Sequence, residues 1–146
     1  MKKHPTLFLF YILLLFSLNV FAQTPEITIS NKSLEEVKSK LIYSTATASP
    51  SWTIKSETSS SITVTRACGT ALKCSFMQAL IGNSYSSMLQ LDLTYTLIKD
   101  GDSVKVLITN ASAWTQMPGG QIKTQSVLDG SNDDLQSQLN EFARRF

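Results

Sequence analysis

Histidine is nearly absent from this 146-residue chain: its single copy is His4. Cysteine occurs twice, at Cys68 and Cys74, and the one long apolar run lies within the first 22 residues. Each scarcity removes a class of chemistry. A Ser-His-Asp triad or a Cys-His pair needs an imidazole. A zinc or copper site needs ligands beyond two thiols and the thioether of Met77. A nucleotide site needs a Gly-rich loop between strand and helix, and "PGGQIK" lacks that setting. The sequence thus calls for no cofactor and no metal.

What stands at the start is an export pattern. Lys2 and Lys3 lead into an apolar stretch from Leu7 to Phe16, and Val20-Phe21-Ala22 supplies the small residues of a secretory cleavage site. The greasy segment from Leu7 to Ala22 is 16 residues long. A bilayer span takes roughly 20, and no basic stop-transfer cluster follows. No cysteine stands near the bond to carry a lipid. The expectation is a signal peptide over 1–22 and a single domain over 23–146. That domain would be periplasmic or secreted, with no membrane anchor after cleavage. Loss of Lys2 and Lys3 leaves 124 residues with eleven basic and eleven acidic side chains. The basic balance of the whole chain therefore belongs to export and does not point to nucleic acid. A chain of this length supports one modest core.

Hydrophobic periodicity places the elements. In "ISNKSLEEVKSKLIYSTA", Ser33 and Glu36 have capping-box spacing, and Leu34, Val37, Leu41 and Thr45 share one helical stripe. The short "EITIS" before it alternates and can add an edge strand. "SWTIKSE" and "SITVTR" alternate around a polar "TSSS" turn. The clearest strand is "MLQLDLTYTLIK", with Leu89, Leu91, Leu93, Tyr95 and Leu97 on one face. Asp100-Gly101 suits a tight hairpin, and "SVKVLITNASAW" returns through Val104, Val106 and Ile108. "TQMPGGQIKTQSVLDG" is loop-like, with a pairing stretch from Ile122 to Val127. Leu135, Leu139, Phe142 and Phe146 form a final helical stripe that Ser131 is placed to cap. Trp52 and Tyr95 also fall on inward positions. Half-polar strands leave one sheet face wet, so the helices must cover the other. The expected fold is a two-layer α+β domain, a four-stranded antiparallel meander covered on one face by N- and C-terminal helices. A β-sandwich would need more strands than two helices leave.

The order "LEEVKSKLI", a tryptophan-led hairpin ending "ITVTR", "GNSYSS" before "LDLTYTLIKDGDSVKVLITN", and a closing "DLQSQLNEF" resembles small exported domains of Gram-negative bacteria. Those are mostly described as uncharacterised periplasmic or lipoprotein-like α+β proteins. The likeness runs over most of residues 31–142 and implies a fold and a cell-envelope address. It implies no functional residues. Such relatives often carry an anchoring cysteine that this chain lacks, and the two cysteines here are a local feature.

An oxidising address makes a Cys68–Cys74 disulfide the default. Five intervening residues differ from the two of a thioredoxin-like redox site. The pair reads as a staple on a loop. Carboxylate chemistry is conceivable from Asp92 on the wet strand face with Glu57 or Asp129 across a groove. Lys55 or Lys105 beside a serine could mimic a Ser-Lys hydrolase, but neither has a recognisable spacing. No catalytic residue is assigned. Phe76, Tyr85 and Trp114 lie in or beside connections, where aromatics either pin loops or bind partners. Strand directions put the connections 68–87 and 115–130 at one end of the sheet. The leading expectation is a noncatalytic cell-envelope domain that binds a protein or polymer there, with Phe76, Tyr85 and Trp114 as anchors. The second is a small carboxylate-dependent hydrolase of cell-wall or glycan material.

Overall fold

The computed structural model describes residues 23–146 apart from Ser84; the expected signal peptide lies outside the described residues. In chain order the elements are β1 (Glu26–Ser30), α1 (Leu34–Ala46), β2 (Thr53–Glu57), β3 (Ser61–Ala67), α2 (Leu72–Ile81), β4 (Gln90–Asp100), β5 (Ser103–Gln116), β6 (Ile122–Ser126) and α3 (Asn132–Ala143). The expected four-stranded meander is corrected. The sheet has six strands in the order β1-β5-β4-β3-β2, with β6 also paired to β5.

The length of β5 explains the extra strands. It runs 14 residues, and β4 satisfies only one of its edges. The other edge would present a row of unpaired backbone groups. Antiparallel β1 pairs with its Ser103–Leu107 half, and β6 pairs with Ser112–Gln116. Between them, the Ile108 N–H donates to the Pro25 carbonyl at 3.0 Å, and the Val127 N–H donates to the Ala111 carbonyl at 2.9 Å. The outer side of β1 is covered in turn by the Gln136 side chain. Its Oε1 accepts the Glu26 N–H at 3.0 Å and its Nε2 donates to the Glu26 carbonyl at 2.9 Å.

A bulge changes which residues of β5 point inward. Thr94 pairs with Asn110 but Tyr95 pairs with Ile108, so Thr109 is the additional residue. Val104, Val106 and Ile108 are buried before it, and Ala111, Ala113 and Thr115 after it. Into and along β4 the apolar side chains keep one parity, with Leu89, Leu93, Tyr95 and Leu97 buried and Leu91 half-buried. Leu93, Tyr95, Leu97, Val104, Val106, Ile108 and Ala111, with Ile62 and Val64 of β3, form the sheet half of the main core.

Helices cover that face alone. Val37 and Leu41 of α1 and Leu135, Leu139 and Phe142 of α3 complete the main core. The Ser33 Oγ accepts the Glu36 N–H at 3.1 Å and so caps α1, while the Glu36 carboxylate turns to Lys32 Nζ at 2.6 Å. Lys38, on the inner side of α1, ties the helix to the β2–β3 turn through the Thr58 carbonyl and Glu57, each at 2.7 Å. Ser131 makes no side-chain cap to α3. Phe146 leaves the expected stripe: it is 36% exposed, edge-on to Phe142 at 5.3 Å. Helix α2 adds a smaller cluster over the end of the sheet, where Ile81 and Met77 meet Leu89, Leu91 and Ala113.

Candidate functional site

The carboxyl end of β3, the start of β4 and the end of β5 lie together, so the connections 68–87 and 115–130 share one end of the sheet. Ser87 joins them. Its N–H donates to the Gln116 carbonyl at 2.8 Å, its Oγ accepts the Gln116 N–H at 2.9 Å, and its carbonyl accepts the Thr115 hydroxyl at 2.5 Å. The turns at Thr58–Ser60 and Asp100–Gly101 lie at the opposite end. The first connection is not an irregular loop, since α2 occupies its centre. The second contains β6, which folds back on β5 through a hairpin.

Cys68 and Cys74 form a disulfide, with 5.7 Å between their Cα atoms. It joins the end of β3 to the first turn of α2, whose N-cap residue, Ala71, has no side chain to cap it. The covalent link supplies the fixed start that capping leaves undone. Beyond the helix, Gln78 Nε2 donates to the Ser86 Oγ at 2.7 Å and the Ser87 carbonyl at 2.9 Å. Asn83 Oδ1 accepts the Tyr85 N–H at 2.9 Å. Gly82 permits this close return, because a Cβ there would collide with the Ser86 hydroxyl.

The inner side of α2 packs on the sheet and its outer side does not. Phe76 and Leu80, four residues apart and hence on one helix face, are 64% and 63% exposed. Tyr85 is 85% exposed on the pinned return. Met88 and Ile122, also at this end of the sheet, are exposed as well. Phe76 and Tyr85 are therefore outward side chains on a braced segment.

Trp114 is placed differently, within β5 on the open face of the sheet and half-buried. Its Nε1–H donates to Asp92 Oδ1 at 2.9 Å, while Lys55 Nζ donates to Asp92 Oδ2 at 2.6 Å and sits 4.9 Å over the indole. Asp92 is only 7% exposed. Burial alone would raise its pKa. The hydrogen bonds from Lys55 and Trp114, the nearby Thr65 hydroxyl dipole and the Lys55 charge outweigh that, and the carboxyl is held below its ordinary value. The Thr65 hydroxyl makes no hydrogen bond of its own. Asp92 and Glu57 are not brought together. Glu57 turns to Lys38 on the helix side, whereas Asp92 has the opposite parity to Leu91 and Leu93 and faces the open side. Asp129 lies in the short 3-10 turn ahead of α3. Lys105 approaches Glu26 at 3.8 Å.

Sequence reasoning missed a second feature, a groove of about 330 Å3 between α2 and α3. Its floor includes Arg66, whose guanidinium stacks 4.3 Å from the Trp52 ring centroid. Burial lowers the Arg66 pKa from its ordinary value, while Tyr95 acts to raise it. The Tyr95 phenol is pushed up to about 12 by burial, against the opposing charge of Arg66. The signal for Arg66 was in "SITVTR": Ile62, Val64 and Arg66 share one parity, so an arginine occupies a core-facing position.

Among the described residues no three His, Cys, Asp or Glu side chains gather as metal ligands. No helix among them is long and apolar enough to cross a membrane. Comparisons with protein-family models, curated proteins and solved structures return no match for this chain.

Proposed function

We propose that this chain is a noncatalytic, exported domain of the cell envelope that binds a protein or envelope polymer through the sheet end formed by 68–87 and 115–130. The observation that carries the reading is the outward display of Phe76, Leu80 and Tyr85 on a segment braced by a disulfide and by hydrogen bonds. Large apolar side chains on a monomer surface mark contact sites when they gather. Bracing matters equally, because an anchor already held in place loses little entropy on binding. Aromatic rings supply much rigid area for few rotatable bonds. Trp114 has a different part, holding the open sheet face together through Asp92 and Lys55.

The test is cross-linked capture from envelope extract, followed by titration of the purified partner. Phe76→Ala and Tyr85→Ala should each weaken binding by more than about 1 kcal/mol, roughly fivefold, with melting unchanged. Asp100→Ser, at the opposite end, should leave affinity alone. Wild-type affinity in both aromatic variants would defeat the proposal.

A further inference from the structure

The helix-facing side of β3 carries a cation in a row of apolar side chains. Ile62 and Val64 are 1% and 0% exposed, and the next residue of that parity is Arg66. Its bonding is incomplete. Nη1 donates to the Pro50 carbonyl at a long 3.4 Å, and Nε, shut off from water, has no acceptor. Among the described residues no carboxylate pairs with it. A guanidinium has five donors arranged as a planar fork, and stacking on Trp52 satisfies none of them. Leaving a desolvated donor unmet is costly, so a chain that does this retains an unused capacity to bind.

The surroundings define what would use it. Arg66 borders the α2–α3 groove, whose other walls are largely apolar: Met77, Leu91, Leu93, Ala111, Val127 and Leu135. Lys73 and Asp134 stand among the lining residues with opposite charges. Asp92 also borders the groove, but its carboxylate is engaged on the open face by Lys55 and Trp114. One positive charge is therefore left over. At about 330 Å3 the space falls at the small end of ligand pockets, which run from about 300 to 1,000 Å3.

We propose that the groove between α2 and α3 is a binding site for a small amphipathic carboxylate, its apolar body over Leu91, Leu93 and Ala111 and its carboxylate on Arg66. A planar carboxylate matches the guanidinium fork. A dianion would bring two charges to one surplus cation, with Asp134 nearby. A neutral alcohol of equal length would bury the same apolar area yet leave the charge of Arg66 uncompensated. This site is separate from the outer face of α2, so its test does not depend on any macromolecular partner.

Octanoate is a suitable probe, with octanol as the neutral control. Nuclear magnetic resonance of the purified domain would follow the Arg66 Nε–Hε signal and the methyl groups of Leu91, Leu93 and Met77. Octanoate should shift all of these saturably, and octanol should bind at least about tenfold more weakly. Arg66→Gln should lower octanoate affinity by a similar factor. Ala71→Trp, at an exposed position lining the groove, should block binding with the fold intact. Absence of a saturable shift, equal affinity for octanol, or Arg66→Gln binding as wild type would each overturn the proposal. Should Arg66→Gln fail to fold, Ala71→Trp decides: undiminished octanoate binding by that variant places the ligand elsewhere.

Discussion

Replacing Asp92 with asparagine tests whether the open face is held by charge. The substitution keeps the shape of a side chain that is 7% exposed, and removes the negative charge that Trp114 and Lys55 share. The indole N–H bond to a charged acceptor is worth roughly 1.5–3 kcal/mol. The Lys55 pair adds no more than about 1 kcal/mol, because the Lys55 side chain is 48% exposed and screened. An amide still accepts one bond at neutral strength, recovering about 1 kcal/mol. The net expected loss is about 0.5–3 kcal/mol, read as a lower urea midpoint at unchanged slope. pH separates charge from packing. A carboxyl held below its ordinary value of 3.8 stabilises the fold fully above the unfolded value, and this stabilisation is lost as pH falls through the folded value. The gap between wild type and Asp92→Asn should be steady near neutrality and close below about pH 4. A gap that persists unchanged at pH 2 would assign the loss to packing, and no loss at pH 7 would refute the charge argument altogether.

Two further outcomes follow from the same geometry. Cys68→Ala/Cys74→Ala should keep the native circular dichroism spectrum and lose about 2–4 kcal/mol in urea, since closing a seven-residue loop restricts the unfolded chain by roughly 2.4 kcal/mol before strain; free thiols in trapped wild-type material would defeat this. Lys38→Met should keep the aliphatic packing of α1 but drop its bonds to the Thr58 carbonyl and Glu57, costing about 1–2 kcal/mol, and an unchanged urea midpoint would show that the buried ammonium contributes nothing net.

The elements legible in the sequence were those whose apolar side chains keep one period throughout. From Leu89 to Leu97 the apolar residues hold one strand parity, and Val37 with Leu41, and Leu135 with Leu139 and Phe142, repeat at helical spacing. What escaped was pairing choice and parity change. "EITIS" and "IKTQS" are five-residue strands whose patterns do not name a partner. Both are recruited by the long free edge of β5, a property of the assembled sheet. The Thr109 bulge moves the inward positions from even to odd numbers, and no glycine marks it. Helix α2 lacks a capping side chain and an acidic first turn, and its exposed Phe76 and Leu80 blur the amphipathic pattern. The shared end is set by β3, β4 and β5 alone, whose antiparallel order was readable. The identity of the outward anchors needed α2, because only a helix sets Phe76 and Leu80 on one face.

The groove and the outward face of α2 have a common origin in the way β5 exceeds the cover available to it. Helix α3 packs against β1, and α1 packs over β4 and β2. Past Thr109 the inward side chains shrink to Ala111, Ala113 and Thr115, too small to reach a helix lying above the first half of the strand. Cover for that end comes from the β3–β4 connection as α2, which packs on β5 and β6. Helices arriving from two directions leave a seam, and the small side chain of Ala111 in its lining helps keep it open. Larger side chains at those positions would gain about 25 cal/mol for each Å2 of apolar surface removed from water. The chain forgoes that gain and sets Arg66, with an unmatched donor, beside the opening. A short helix stapled over such a seam has its inner face committed to a small cluster and its outer face left to solvent. The same shortage of core volume thus accounts for the groove beneath α2 and for the exposed Phe76 and Leu80 above it.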